Sequence, residues 1–205
     1  MARVLLTAFA PFAHWEENSS WLALQSLTQD MPDETQLTTR RYPVEYAAAR
    51  QQLERDLENE FDFSIHLGQS AQASHVEIEA IAINVAEFIA DGHRRHKTLC
   101  PDGPTAYQTR LAVAQLSDIV NEQSIPSRVS HHAGTYLCNA TFYWAQYLAE
   151  QMGREMQSLF IHLPLAPQQM PDADGHKVGT PLAPELAAEA IRLILVKLAQ
   201  PQQLA

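Results

Sequence analysis

The segment that decides the fold is RVSHHAGTYLCNATFYWAQYLAEQMGREMQSLFIHLP, residues 128–164. It predicts a strand at Arg128–His131, a helix from near Cys138 to Met152, and a second strand at Ser158–Leu163. A short turn, Ala133–Thr135, connects the first strand to the helix. A strand, a helix and a strand of these lengths are typical of α/β proteins.

The same alternation continues on both sides of this segment. It predicts strands at Arg3–Phe9, Gln36–Tyr42, Phe61–Leu67 and Val76–Val85, and helices through Trp21–Leu27, Tyr46–Glu60, Ala112–Glu122 and Pro184–Leu198. The charged stretch between Ala86 and Pro104 is predicted to be an exposed excursion. We therefore expect one domain, residues 1–205, folded as a three-layer α/β/α sandwich around a twisted, largely parallel (mixed) central sheet.

Composition and charge exclude several classes of partner. Fourteen Lys and Arg residues against twenty-four Asp and Glu give a formal net charge of -10, which opposes binding to a phosphate backbone or an anionic bilayer. No apolar run reaches the roughly 18 residues that a membrane span needs. The first ten residues lack the features of a signal peptide, and Cys100 and Cys138 are too few for a disulfide framework. We expect a cytoplasmic protein with neither nucleic acid nor membrane as a partner.

Ligands of α/β proteins bind beyond the carboxyl ends of the strands, where the chemistry-bearing residues of this chain lie. Cys138 follows a strand and opens a helix, and the N-terminus of a helix favours a negative charge such as a thiolate. The alternative is an inert buried cysteine, which is also our interpretation of Cys100. Other residues that follow strands are expected at the same rim, namely Phe9, Phe12, Gly68, Gln69 and Gly134.

His162 lies in an apolar run at the end of a strand, where it is either a core histidine or the base that a thiol nucleophile needs. Glu79 lies in another apolar strand, and a buried carboxylate requires a partner. An imidazolium is a natural partner, and the two groups would then complete a nucleophile, base and orienter set with Cys138. A structural ion pair is the alternative for Glu79 and for Glu77 on the same strand face.

The sequence predicts no metal site and no cofactor. Asp91, His93 and His96 form a possible ligand group, but the adjacent Arg94, Arg95 and Lys97 would repel a cation. The chain also contains no P-loop and no Gly-x-Gly-x-x-Gly sequence for a nucleotide.

Three separated segments carry the Glu79, Cys138 and His162 candidates: EAIAIN at 79–84, AGTYLCN at 133–139 and FIHLP at 160–164. Together they resemble the glutamate, cysteine and histidine motifs of the type I pyroglutamyl peptidases, also called pyrrolidone-carboxylate peptidases. The opening LTAFAPF at 6–12, with Asn18 and Trp21 downstream, is similar to the amino-terminal substrate loop of that family, and DGP at 102–104 matches a further short segment. The matches occur in order over nearly the whole chain.

The resemblance implies a hydrolase that removes an N-terminal pyroglutamyl residue from peptides through an acyl-enzyme. Cys138 would be the nucleophile, His162 the general base and acid, and Glu79 the orienter, with no cofactor. The apolar walls of the family's substrate pocket correspond to Phe9, Phe12, Tyr136 and Leu137. Its polar positions correspond to Gln69 and Asn18. The alternative interpretations are core aromatics for the phenylalanines and a turn or helix cap for Asn18. The family also implies a homo-oligomer, a tetramer or a dimer.

The sequence departs from the family at positions close to these motifs. The family usually has an arginine directly after the glutamate and another further along, where this chain has Ala80 and Ile89. Arg94 and Arg95 are candidates to replace the missing charge. Glycines of the family are replaced at Ala8, Ala13, Ala71 and Gln72. These departures leave two alternatives: a substrate that is another small acyl or cyclic amide, or a non-catalytic ligand-binding homologue.

Overall fold

A six-stranded mixed sheet forms the centre of the molecule in the computed structural model, which describes residues 1–30, 35–173 and 177–200. The predicted domain, 1–205, thus includes short segments that lie outside the described residues. The strands are β1 (Ala2–Phe9), β2 (Thr35–Tyr42), β3 (Phe63–Gln69), β4 (Val76–Glu79), β5 (Ile81–Ile83), β6 (Ala86–Ala90), β7 (His93–Lys97), β8 (Ala106–Gln108), β9 (Ser127–Ser130) and β10 (Gln157–Leu163). The helices are α1 (Ser19–Leu27), α2 (Tyr46–Asp56), α3 (Val113–Glu122), α4 (Leu137–Gln151) and α5 (Pro184–Ala199), with a 3-10 helix at Pro167–Ala173.

The strand order of the central sheet is β2-β1-β3-β10-β4-β9. Strands β1, β2, β3 and β10 are parallel, whereas β4 runs antiparallel to β10 and β9 runs parallel to β4. Two antiparallel pairs, β5 with β8 and β6 with β7, lie outside this sheet. The predicted largely parallel, mixed sheet is confirmed.

Helices cover both faces of the sheet, as the apolar patterns predict. Helices α2 and α4 pack on one face around Phe160 and Tyr42, and α1, α3 and α5 pack on the other face around Ile65 and Ile161. Alternate residues of β10 therefore supply the two cores, because successive side chains of a strand point to opposite faces. The three-layer α/β/α arrangement is confirmed, and no described helix has the length and apolar character required to cross a membrane.

The structure differs from the sequence prediction where pairing between distant segments sets the bounds of a strand. The predicted strand Val76–Val85 is divided at Ala80, whose N–H donates to Ser130 O at 2.7 Å and whose carbonyl accepts from Thr109 N–H at 2.9 Å. The chain thereby leaves the central sheet and pairs with β8 instead. The predicted excursion after Ala86 is a β-hairpin, and β7 is exposed along its whole length.

Candidate active site

His162 and Glu79 meet on adjacent strands of the central sheet. In the pairing of β10 with β4, Glu79 lies opposite Phe160, which shares a sheet face with His162. His162 Nδ1 donates to Glu79 Oε1 at 2.7 Å, and both side chains are buried. The second oxygen, Oε2, is buried without a hydrogen-bond partner among the described residues. Because Nδ1 is bound to the carboxylate, Nε2 is the ring nitrogen that is free to exchange a proton.

Cys138 lies in the first turn of α4, on the same side of the sheet as His162, and both side chains line one cavity, where Cys138 contributes to raising the pKa of His162. The Tyr136 side chain does not cap this helix, so within the described residues its first N–H groups lack a side-chain cap from that position. Gly68 at the end of β3 makes this close packing possible. A Cβ at Gly68 would lie 3.0 Å from Cys138 Sγ and 2.7 Å from the Phe160 ring.

The pKa of His162 reflects opposing influences. Burial alone lowers it, but the charge of Cys138 and the hydrogen bonds to Cys138 and Glu79 outweigh burial and raise the pKa above its usual value. The site therefore favours the imidazolium form of His162, which is the protonation state required to protonate a leaving group.

The loop before Cys138 is held by the β6 strand. Gly134 has a φ of +78°, a conformation open to glycine, and turns the chain towards α4. Glu87 N–H donates to Thr135 O at 2.7 Å, while Thr135 Oγ1 donates to Glu87 Oε2 at 3.0 Å. Tyr46 Oη donates to Glu87 O at 2.8 Å. These bonds fix the backbone that carries the thiol.

A cavity of about 320 Å³ opens beside the thiol and the imidazole. All six residues predicted to bind substrate line it with Cys138 and His162, namely Phe9, Phe12, Asn18, Gln69, Tyr136 and Leu137. Residues not singled out for this role also line it, namely Val44, Glu87, Arg94, Ala133, Gly134 and Thr135. The volume is at the low end of the range of ligand pockets, about 300–1,000 Å³, and fits a small ligand.

The two polar amides of the cavity are already engaged in different ways. Asn18 Oδ1 accepts from Ser20 N–H at 3.1 Å as the N-cap of α1, and its Nδ2 donates to Ala10 O at 3.1 Å. Asn18 is thus the helix cap that its sequence position allowed. Gln69 Oε1 accepts from Ser19 N–H at 2.8 Å and Gln169 Nε2 at 2.7 Å, which leaves the Gln69 Nε2 group without a hydrogen bond in the described part of the chain.

The departures from the family have unequal structural consequences. Of the replaced glycine positions, only Ala13 has a positive φ, 56°, in the described chain, and this conformation is strained for alanine. Ala80 is buried at the break between β4 and β5, and Ile89 is 66% exposed. Arg94, directly opposite Ile89 in the hairpin, lines the cavity, whereas Arg95 is on the other face of β7. Sequence alone did not separate these two arginines, because the hairpin register decides which one faces the site.

Glu77, Glu79 and His162 offer potential metal-ligand atoms within 4.8 Å of one another. Glu79 Oε1 is bound by His162, and Glu77 forms an ion pair with Arg128. The guanidinium places a positive charge where a cation would bind. We therefore assign these groups to the imidazole and the arginine.

A thiol at a helix N-terminus, at one cavity with an imidazole that a buried carboxylate holds, is the arrangement of a cysteine-type hydrolase. Comparison with known proteins identifies the family within that class. The family model for pyroglutamyl peptidase matches residues 2–200, and the chain belongs to this family.

Relatives and solved structures agree with this membership over almost the full length. The chain is 31% identical to pyrrolidone-carboxylate peptidase of Bacillus subtilis (strain 168), over 97% of this chain and 93% of that protein. Pyrrolidone carboxyl peptidase from the thermophilic bacterium Fervidobacterium islandicum AW-1 superposes with a TM-score of 0.88 at 30% identity, covering 97% of this chain and 98% of that one. A mutant pyrrolidone carboxyl peptidase from Pyrococcus furiosus gives 0.86 at 30% identity, with 95% and 96% covered.

Proposed function

We propose that the chain hydrolyses the amide bond that follows an N-terminal pyroglutamyl residue of peptides, with Cys138 as nucleophile, His162 as general acid and base, and Glu79 as its orienter. The observation that carries the proposal is the convergence of three groups: Cys138 and His162 line one cavity, and Glu79 accepts a hydrogen bond from His162 Nδ1. Membership of the pyroglutamyl peptidase family supports the substrate.

In the first half-reaction, the Cys138 thiolate attacks the carbonyl carbon of the scissile amide, and the carbonyl oxygen becomes an oxyanion. The open N–H groups at the start of α4 are in position to stabilise that charge. His162 Nε2 then gives its proton to the leaving nitrogen, the C–N bond breaks, and the shortened peptide departs with a new N-terminal amine. A pyroglutamyl thioester remains on Cys138.

In the second half-reaction, a water molecule attacks the thioester carbonyl and gives a proton to His162. The C–S bond breaks, which releases pyroglutamate and restores the thiolate beside the imidazolium. Glu79 keeps Nδ1 bound throughout, so that Nε2 stays directed at the reacting atoms. The carboxylate therefore acts through His162 rather than on the substrate.

The cavity suits a lactam, which has no charge and no free amine. Its apolar walls come from Phe9 and Leu137, both almost fully buried, and from Phe12 and Tyr136, whose rings lie 5.5 Å apart at the more exposed end. The free Nε2 group of Gln69 is available to donate to the lactam carbonyl. A free amide donor among apolar walls favours an uncharged ring over a protonated N-terminus.

The test compares two peptides that differ only in the first residue, pyroglutamate or proline, and follows release of that residue by mass spectrometry. Proline keeps the five-membered ring but lacks the lactam carbonyl and carries a charged amine. We expect release of pyroglutamate and none of proline. Equal release would contradict lactam recognition, and binding of pyroglutamyl ligands without any release would favour the non-catalytic alternative.

Two further properties stay predictions of the family resemblance and of the sequence. Self-association as a tetramer or dimer is testable by sedimentation velocity, and a cytoplasmic location by fractionation of the source cells. Neither bears on the chemistry proposed for Cys138.

A further inference from the structure

The rim of the cavity carries positive charge in a chain that is acidic as a whole. The formal net charge is -10, yet β7 is the run His93-Arg94-Arg95-His96-Lys97, with every residue exposed. This basic strand forms part of the hairpin beside the cavity, and Arg94 lines the cavity itself. A local cluster of this kind attracts anionic groups to the cavity even when the protein repels them at a distance.

The hairpin register separates the cations of β7 into two sets. Glu87 lies opposite His96, and Ile89 opposite Arg94, so these four side chains share one face. Arg95 lies opposite Phe88 on the other face, which also carries Lys97, whose Nζ lies 5.5 Å from the Phe88 ring centroid. Arg94 is thus the arginine of this strand that lines the cavity, and Arg95 is a neighbour of equal charge that does not.

Arg94 is anchored but retains free donors. Its Nη1 lies 3.2 Å from Glu87 Oε1, and its side chain is 76% exposed. Glu87 is 19% exposed and its other oxygen accepts from Thr135 Oγ1, so this carboxylate is already bound on both sides. Glu45, whose charge acts on Tyr136, has both oxygens occupied by N–H groups of Ala47 and Ala48. The remaining N–H groups of the guanidinium are available to a ligand.

The lining residues of the cavity range from buried to exposed, which indicates the part of a substrate that comes near Arg94. Phe9 and Leu137 are 3% and 2% exposed and form the inner end, whereas Phe12 is 46% exposed and Tyr136 37%. A pyroglutamyl ring at the inner end places its scissile carbonyl beside Cys138. The substrate continues from there as the leaving peptide, which extends towards the exposed end of the cavity. Arg94, whose side chain is 76% exposed, is the arginine of β7 that lines the cavity.

Resting on the proposed function, we propose that Arg94 is a specificity-determining residue that binds a carboxylate on the residue following pyroglutamate. The carboxylate has two possible sources, an Asp or Glu side chain at that position or the free C-terminus of a pyroglutamyl dipeptide. Both present the planar pair of oxygens that a guanidinium binds with two parallel hydrogen bonds. The preferred substrates are therefore pyroglutamyl peptides that are acidic directly after the cleaved bond.

The test measures calorimetric binding to the Cys138→Ala variant, so that turnover does not interfere. One pair of ligands is pyroglutamyl-glutamate amide and pyroglutamyl-glutamine amide, which differ only in the side-chain charge. The other pair is pyroglutamyl-alanine and its amide, which differ only in the terminal charge. For an exposed charge-assisted contact we expect the anionic member of at least one pair to bind about three- to tenfold more tightly, and the pair that discriminates identifies the source.

Two substitutions in the same background assign the effect to a residue. Both substitutions remove one charge from the same strand, so they are matched. Arg94→Gln is expected to reduce the affinity ratio within the discriminating pair to about one. Arg95→Gln is expected to leave that ratio unchanged, because Arg95 does not line the cavity. Equal losses in the two variants would overturn the assignment to Arg94, since they indicate the field of the strand and not a contact. Equal affinities within both pairs would overturn the inference while leaving the proposed function intact. Failure of every pyroglutamyl ligand to bind, together with absence of turnover by the unmodified protein, would overturn both.

Discussion

The buried imidazole of His66 is expected to make the free energy of unfolding depend on pH. His66 lies in β3, is completely buried and forms a 2.7 Å hydrogen bond with Thr7 Oγ1 through Nδ1. Its Nε2 has no hydrogen-bond partner in the described chain. Burial lowers the pKa of His66 to about 3, because a charged ring here would lose its hydration without gaining a counter-charge.

The sign and size of the effect follow from linkage. The pKa of histidine in the unfolded chain is about 6.5, so below that pH the unfolded state binds a proton that the folded state excludes. The contribution of neutral His66 to the free energy of unfolding is fully present above pH 6.5. It is lost as the pH falls towards the folded pKa of about 3. Each pH unit below 6.5 lowers the free energy of unfolding by about 1.4 kcal/mol. Acidification from about pH 7 to pH 5 therefore lowers it by roughly 2 kcal/mol through His66 alone.

The assay is urea unfolding of the unmodified chain and of His66→Gln at a series of pH values between about 5 and 8. Glutamine retains polar atoms but does not titrate, so the difference between the two pH profiles isolates His66 from all other groups. We expect the variant to be less stable near pH 8 and the gap to narrow by roughly 2 kcal/mol towards pH 5. Parallel profiles would refute the argument, because they require equal protonation of His66 in the folded and unfolded states.

Three further substitutions test the geometry of the site. Gly68→Ala places a methyl group 2.7 Å from the Phe160 ring and should cost about 1–3 kcal/mol in urea unfolding, together with a loss of kcat/KM; unchanged values would contradict the close packing. Ala13→Gly relieves a positive φ and should raise the free energy of unfolding by about 0.5–1 kcal/mol, and a loss of stability would argue against strain there. Glu79→Gln removes a group that raises the pKa of His162, so the alkaline limb of the pH–rate profile should move to lower pH, and an unmoved limb would contradict the orienting role.

The element sequence was predictable because it depends on local patterns. The apolar runs that became β1, β3 and β10 and the α4 helix are encoded in a few consecutive residues each. The direction of β4 was not predictable in this way. Its antiparallel pairing with β10, and the break at Ala80, depend on contacts with Ser130 and Thr109, which are distant in sequence.

Candidate site residues were identifiable where a reactive side chain followed a strand. Cys138 and His162 stand out because thiols and imidazoles are uncommon in otherwise apolar segments, and the structure places both at one cavity. Arg94 and Glu87 carry no such signal, since an exposed charged stretch is usually only solvated. The sequence feature that could have located them is the Asp91-Gly92 turn. It has positive φ at both residues and fixes the hairpin register, which decides the strand face of Glu87 and Arg94.

The central claim is that Cys138 performs pyroglutamyl amide hydrolysis, and the chain supplies its own control in a second cysteine. The measurement is kcat/KM for release of a fluorophore from a pyroglutamyl amide, under reducing conditions, by the unmodified chain, Cys138→Ala and Cys100→Ala. Cys100 is buried, whereas Cys138 is partly exposed, and Cys100 is not among the residues that line the cavity. We expect turnover by the unmodified chain and by Cys100→Ala, and none by Cys138→Ala. Turnover that survives in Cys138→Ala, or its absence from the folded unmodified chain, would contradict it.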